Sequence, residues 1–147
     1  MKLKPLYEDN HLVAVDKPAG LLTQGDRSGR DNLLDQVRSF LKREYRKPGN
    51  VFLGMVHRLD RQVSGVVLFA KTSKAASRLA RQFRERTVVK LYLALSHEHS
   101  SAEPPEERWK TAVHYLSRQK NRTVPVAGPV PAAREAAIMY RLSLIHI

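Results

Sequence analysis

The spacing of apolar residues along the chain predicts several short strands. Leu12–Val15 is an apolar run that enters Asp16–Gly20, where proline and glycine indicate a turn. Val51–Val56 and Val66–Ala70 are two further apolar runs, and the polar segment His57–Gly65 lies between them. The strand-like pattern returns in Val88–Leu95, in Trp109–Leu116 and in Ala136–Ile147, with Pro125, Pro129 and Pro131 expected to break the chain before the last of these.

Two other segments carry apolar residues at helical spacing. In the first, Asp31 can cap a helix whose apolar positions Leu34, Val37 and Leu41 share one face. The second predicted helix can be capped by Thr72 or Ser73, and its apolar positions are Ala76, Leu79, Ala80 and Phe83. Its arginines are left on the opposite face. Strands and helices together predict a mixed α/β fold.

Length and composition exclude several classes of protein. A chain of 147 residues with 42% hydrophobic and 27% charged residues is expected to fold as one domain and is not disordered. The absence of cysteine excludes a disulfide scaffold, a cysteine-ligated metal site and thiol catalysis. The longest apolar runs fall far short of the roughly 20 residues that a membrane-spanning helix needs, and the N-terminus lacks a signal-peptide pattern. We therefore expect a cytoplasmic protein without a membrane partner.

Basic residues greatly outnumber acidic ones. Lysine and arginine total 26 against 14 for aspartate and glutamate, a formal net charge of +12, which favours a polyanionic partner. Much of the excess lies in and around the second predicted helix, where the single acid Glu85 stands among Lys71, Lys74, Arg78, Arg81, Arg84, Arg86 and Lys90. A solvated helix face explains such a stretch equally well, so charge alone does not establish nucleic-acid binding.

The common catalytic and metal-binding signatures are missing from the sequence. It contains neither a Walker loop nor the glycine pattern of dinucleotide-binding proteins. The triplet His97-Glu98-His99 offers fewer than the three or four convergent ligands that a metal needs. We expect no metal site.

The segment His57–Gly65 holds a carboxylate between two guanidinium groups. Arg58 and Arg61 flank Asp60, and opposite charges within a few ångströms favour the ionised carboxylate. An ionised aspartate can act as a nucleophile or as a base. A structural salt bridge accounts for the same three residues, and residue types alone leave both interpretations open.

Three ordered motifs resemble those of the RluA-type pseudouridine synthases. The central one is His57-Arg58-Leu59-Asp60 followed by Ser64-Gly65 and an apolar strand that ends in Ala70-Lys71. Before it, Tyr7-Glu8-Asp9 and Asp16-Lys17-Pro18-Ala19-Gly20-Leu21 resemble the opening strand and the Lys-Pro-x-Gly turn of that family. After it, Lys90-Leu91-Tyr92-Leu93-Ala94 resembles the Lys-x-Tyr-x-Ala strand. One departure is Val63, where many members have threonine, which removes a supporting hydrogen bond.

The resemblance implies isomerisation of uridine to pseudouridine in structured RNA, either ribosomal or transfer RNA, without cofactor or metal. Asp60 would be the nucleophile, and the target nucleotide would be flipped out of its stack. Arg58 would fill the gap left behind, and Tyr92 would lie against the flipped base. The residues expected to contact RNA phosphates are Arg61, Lys71, Lys74, Arg78, Arg81, Arg84 and Lys90.

The resemblance also implies a fold and an extent. The expected fold is the N-terminal part of a mixed, largely antiparallel sheet with flanking helices, without a separate RNA-binding domain before Tyr7. Ala136, Tyr140, Arg141 and Leu142 resemble a strand of the family, whereas Ser143–Ile147 does not resemble its continuation. Residues 1–147 are therefore expected to be one incomplete catalytic domain, monomeric when complete and, as it stands, inactive and poorly soluble. The alternative is a non-catalytic RNA-binding remnant of the same fold.

Overall fold

The computed structural model describes residues 3–27, 29–95, 108–120 and 122–141, and the chain divides into two compact units, Met1–Tyr92 and Leu93–Ile147. In the first unit the elements are β1 (Tyr7–Glu8), β2 (Leu12–Lys17), α1 (Leu33–Glu44), β3 (Gly54–Met55), β4 (Gly65–Ala70) and α2 (Ser73–Arg84). In the second they are β5 (Lys110–Gln119), β6 (Arg122–Val126) and β7 (Arg134–Tyr140). The mixed α/β class with antiparallel sheets is as expected. The single-domain organisation stays a prediction.

The first unit is built on an antiparallel sheet with strand order β1-β2-β4-β3. The long pairing of β2 with β4 runs from Leu12 opposite Ala70 to Lys17 opposite Gly65. Alternate residues of a strand face the same side of a sheet, and in β2 the face of Val13, Val15 and Lys17 is almost completely buried, whereas Ala14 on the other face keeps 8% exposure. This register places the end of β2 beside the beginning of β4.

Helix α1 packs on this sheet and is capped one residue later than expected. Asn32, not Asp31, is the N-cap, because Asn32 has an extended backbone and its side-chain oxygen accepts the amide hydrogen of Asp35 at 3.0 Å. Leu33, Val37 and Leu41 form the buried face. Of the three apolar positions expected on this face, Val37 and Leu41 are buried, while Leu34 is partly buried against the core and Leu33 is the third fully buried residue.

Helix α2 is capped by Thr72, whose hydroxyl oxygen accepts the amide hydrogen of Ala75 at 3.2 Å. It contacts β3 at Gly54, where a Cβ atom would lie 2.8 Å from the Cβ of Ala76. The close approach of helix and strand therefore requires glycine at this position. The strand expected over Val51–Val56 is reduced to the two residues of β3, which pair with the end of β4.

The second unit is a three-stranded antiparallel sheet with β5 in the centre. Pro125 lies inside β6 and pairs with Leu116, so the chain break expected at this proline is wrong. An edge strand tolerates proline because one side of it needs no ladder hydrogen bonds. The strand expected from Ala136 begins at Arg134, and residues 142–147 lie outside the described residues.

Residues 88–95 do not form the expected strand. A strand needs a hydrogen-bonded neighbour, and within the described ranges no strand pairs with this segment. Its alternate residues Val89, Leu91, Leu93 and Leu95 are exposed. The triplet His97-Glu98-His99 lies outside the described residues. No helix in the described part of the chain has the length and apolar character needed to span a membrane.

Candidate active site

The segment that joins β3 to β4 carries Asp60 on an anchored backbone. We call residues 57–64 the Asp60 loop. Burial alternates along its first half: His57 and Leu59 are partly buried, whereas Arg58 and Asp60 are exposed. The loop is followed by Gly65, the first residue of β4, whose φ of +137° is a conformation that residues with a side chain rarely adopt. Arg58 and Asp60 are therefore presented to solvent at the entrance of β4.

His57 anchors the start of the Asp60 loop to two elements. Its Nε2 accepts the amide hydrogen of Leu68 at 2.9 Å, just beyond the point where β3 stops pairing with β4. Its ring stacks on Phe83 of α2 with centroids 5.0 Å apart. Burial lowers the pKa of His57, and the positive charge of Lys90 lowers it further. A neutral imidazole that accepts through Nε2 holds the loop in place.

The backbone on both sides of Asp60 is tied to the turn that follows β2. The Arg61 carbonyl accepts the amide hydrogen of Gly20 at 2.7 Å, and Arg61 Nε donates to the Gly20 carbonyl at 3.0 Å. On the other side, the Thr23 hydroxyl donates to the Leu59 carbonyl at 2.6 Å. These contacts leave little freedom to the two peptide groups of Asp60.

Lys17 is a buried cation beneath the same loop. Its side chain is fully buried, and its Nζ donates to the carbonyl oxygens of Pro18, Leu21 and Arg61 at 3.1, 2.9 and 3.2 Å. Burial lowers the pKa of Lys17, and the negative charge of Asp60 opposes this effect. Sequence reasoning assigned no role to Lys17. The alternation of β2, which places it on the buried face, was the signal that could have revealed it.

Asp60 is held without the arginine ion pairs that the sequence suggested. Among the described residues neither Arg58 nor Arg61 forms a salt bridge with Asp60. The Arg61 guanidinium donates to Gly20 instead. The negative charge of Asp60 favours the charged form of Lys17, and Arg58 is exposed two residues before Asp60 in the chain.

The basic residues of α2 lie on its exposed side. Lys74, Arg78, Arg81 and Arg84 are exposed, and none of them forms an ion pair in the described part of the chain. We call these four residues the basic α2 face. The helix contacts the Asp60 loop through Phe83, which stacks on His57. The basic α2 face is thus carried by an element that also supports the loop.

The remaining candidate residues have different environments. Lys71 donates to Glu8 at 2.6 Å and to the Asp9 carbonyl at 2.7 Å, and its ammonium lies 4.8 Å from the ring centre of Tyr45. Burial would lower the pKa of Lys71, but its hydrogen bond to Glu8 and the charge of Glu8 outweigh burial and raise it. The structure thus uses Lys71 to join β4 to β1.

Lys90 and Tyr92 both lie in the segment that follows α2. Lys90 is exposed and close enough to His57 to lower its pKa. Tyr92 is 64% exposed and, within the described residues, makes no hydrogen bond or ring contact with the Asp60 loop. The described residues also contain no group of three or more His, Cys, Asp or Glu side chains placed to hold a metal ion.

Comparison with known proteins assigns the family. The family described as RNA pseudouridylate synthase matches residues 11–141. The ribosomal large subunit pseudouridine synthase C of Vibrio cholerae is 39% identical over 98 residues, which are 67% of this chain and 29% of that protein. The pseudouridine synthase C of Rickettsia prowazekii is 33% identical over 135 residues, 92% of this chain and 41% of that protein. The large subunit synthase D of Nitrosomonas europaea is 42% identical over 94 residues, 63% of this chain and 26% of that protein.

The fold agrees with a solved structure of the same family name. Human RNA pseudouridylate synthase domain containing 4 superposes with a TM-score of 0.67 at 21% identity, covering 93% of this chain and 52% of that one. The chain belongs to the RNA pseudouridylate synthase family. The resemblance in its motifs is thereby confirmed. The chain spans less than half the length of the curated relatives named above.

Proposed function

We propose that the complete protein isomerises uridine to pseudouridine in RNA, with Asp60 as the nucleophile. The observation that supports this is the placement of Asp60: its side chain is exposed, its backbone is tied down on both sides, and a buried ammonium lies beneath it. A carboxylate of this kind is accessible to a substrate and held in one place. Membership of the family supplies the reaction for which such a group is suited.

The proposed chemistry needs only the substrate, Asp60 and proton exchange with solvent. The carboxylate attacks either the sugar or the base, the glycosidic bond breaks, the uracil turns, and a bond from C5 to the sugar replaces the bond from N1. C5 then loses its proton to solvent, N1 gains a proton, and the Asp60 carboxylate is released. The product has the composition of the substrate, so the reaction requires no oxidant, metal or cofactor. Arg58, exposed beside Asp60, would occupy the space of the flipped nucleotide, and Tyr92 would stack on its base.

RNA would be held by exposed cations around this loop. We propose the basic α2 face as the principal contact with phosphates, joined by Lys90 and by the terminal nitrogens of Arg61. Lys71 contributes less because it is already paired with Glu8. The relatives are named for the large ribosomal subunit, which makes its RNA the first substrate to test and transfer RNA the second. We also propose a cytoplasmic location and a monomeric complete protein.

The decisive variant is Asp60→Asn. The amide keeps the size of the side chain but cannot act as a nucleophile, so pseudouridine formation should fall by roughly 10³-fold or more. RNA affinity should stay nearly unchanged because it comes from phosphate contacts. Conversion is measured by tritium release from RNA labelled at C5 of uridine, and affinity by filter binding.

Asp31→Asn is the matched control, since Asp31 is an exposed aspartate of the same unit outside the Asp60 loop. It should leave conversion unchanged. Residual conversion by Asp60→Asn near the level of the unmodified protein would rule out the nucleophile assignment. RNA binding by the unmodified complete protein without conversion of any uridine in a total RNA pool would favour the non-catalytic RNA-binding alternative.

A further inference from the structure

Thr23 is bonded twice to the residue that precedes Asp60. Its hydroxyl donates to the Leu59 carbonyl at 2.6 Å, and the same oxygen accepts the Leu59 amide hydrogen at 3.2 Å. Both backbone polar groups of Leu59 are thus satisfied by one side chain. Thr23 is only 4% exposed, and it lies 36 residues from Leu59 along the chain.

Thr23 is itself held by the N-terminus of α1. Its carbonyl accepts the amide hydrogen of Leu34 at 3.1 Å, and the preceding Leu22 carbonyl accepts that of Leu33 at 2.8 Å. Leu22 also forms an isolated parallel bridge with Asn32, the residue that caps the helix. The position of Thr23 is therefore set by a regular helix whose buried face is in the core.

The usual role of a threonine hydroxyl in a loop is local. Such groups most often bond to backbone atoms two to four residues away, which stabilises a turn. Thr23 instead uses its donor and its acceptor capacity on a distant residue next to the candidate nucleophile. On the far side of Asp60, Arg61 is held by Gly20 and Lys17, so removing Thr23 would free only one of the two anchors.

We propose that Thr23 is a positioning residue for Asp60. Thr23 is fixed by α1, and its two hydrogen bonds to Leu59 hold the adjacent nucleophile in place. This inference rests on the proposed function, because positioning matters only if Asp60 attacks a substrate. Displacement of a reacting group by about 1 Å can cost up to roughly 100-fold in rate. The loss should appear in turnover and not in RNA affinity, since Thr23 is buried and belongs to none of the proposed RNA contacts.

The test compares Thr23→Val with Thr23→Ser. Valine has nearly the shape of threonine but lacks the hydroxyl, whereas serine keeps the hydroxyl. In the complete protein we expect Thr23→Val to lower the single-turnover rate of pseudouridine formation about 10- to 100-fold with unchanged RNA affinity. Thr23→Ser should restore most of the rate. Hydrogen exchange of the Leu59 amide, followed by NMR, should become about fivefold faster in the valine variant only.

The exchange measurement separates failure of the inference from failure of the proposed function. If the unmodified protein converts no uridine, the proposed function is wrong, and exchange at Leu59 still decides whether Thr23 holds the loop. Equal rates and equal exchange for Thr23→Val and the unmodified protein would overturn the inference. So would a Thr23→Ser variant as impaired as Thr23→Val. If Thr23→Val does not fold, Thr23→Ala takes its place against Thr23→Ser, with the same expected contrast.

Discussion

Asp60 combines an exposed side chain with a backbone fixed by its neighbours. The His57 imidazole accepts the amide hydrogen of Leu68, and the Leu59 carbonyl accepts the hydroxyl hydrogen of Thr23. Arg61 is bonded to Gly20 through its carbonyl and its guanidinium group. Ordering a backbone residue costs about 1–2 kcal/mol of free energy. In this loop the backbone is already ordered in the folded protein, so substrate binding does not have to lose this conformational entropy. The side chains between the anchors, Arg58 and Asp60, are exposed.

The lowered pKa of His57 predicts a loss of stability under mildly acidic conditions. Because the pKa in the folded state lies below the ordinary value of 6.5, the unfolded chain binds a proton more readily as pH falls through that value. Protonation of Nε2 would also remove the lone pair that accepts the hydrogen bond from the Leu68 amide. The contribution of His57 to the free energy of unfolding should therefore be complete above about pH 7, and it should decline as pH falls towards 5.

Urea unfolding of the chain across this pH range measures the effect. His57→Gln is the comparison variant, since it lacks a titrating group at this position and should show a flatter dependence between pH 7 and 5. The titration of Glu8 does not contribute to the change in stability between pH 7 and 5. Burial would raise the pKa of Glu8, but hydrogen bonds from Lys71 and Tyr45 lower it below 4.5, so its contribution is lost only at more acidic pH. Identical pH profiles for the two proteins would contradict the role of His57.

The sequence singled out exposed residues of the candidate site more readily than buried ones. Asp60 and Arg58 could be named as candidates because they belong to a contiguous motif, and their roles stay predictions. The alternation of β2 could have revealed that Lys17 is buried, but not its partner, because Arg61 lies 44 residues away. Thr23 gave no such signal, and its partner Leu59 lies 36 residues away. Local patterns carry no information on which distant carbonyl a buried donor will reach.

At the scale of elements, prediction succeeded where an element depends on its own residues. The helices α1 and α2 have apolar faces and capping side chains within their own segments, and β2 and β4 are continuous apolar runs. Prediction failed where the presence of a strand depends on hydrogen bonds to a neighbouring strand. Residues 88–95 have a strand pattern but lack a partner in the described chain, and Pro125 is accommodated because β6 lies at an edge.

The basic α2 face predicts a specific change in RNA binding. Replacing Arg78, Arg81 and Arg84 together by glutamine should weaken binding to all RNA sequences, because phosphate contacts carry no sequence information. The slope of log affinity against log salt should become shallower by about 2–3 units, since each lost phosphate contact removes slightly less than one. Filter binding at several salt concentrations measures both quantities.

A charge-matched control uses the other helix. Replacing Lys42, Arg43 and Arg46 by glutamine removes the same charge from exposed positions on and just after α1. This variant should change the slope far less if the contacts are local to α2. Equal effects of the two triple variants would mean that only the net charge of +12 attracts RNA.

At the scale of the whole molecule, the segment after α2 predicts self-association of the 147-residue chain. Val89 and Leu91 are 84% and 82% exposed, alternate as in a strand, and have no strand partner in the part of the chain that the structure describes. Unpaired apolar segments of this kind pair with other copies. Sedimentation velocity at about 100 µM should therefore show concentration-dependent association.

Replacing Val89 and Leu91 by lysine should abolish this association, whereas the charge-matched variant Gln36→Lys with Ser39→Lys on α1 should not. A monomeric unmodified chain at that concentration, or equal effects of the two double variants, would show that residues 88–95 are not the adhesive surface.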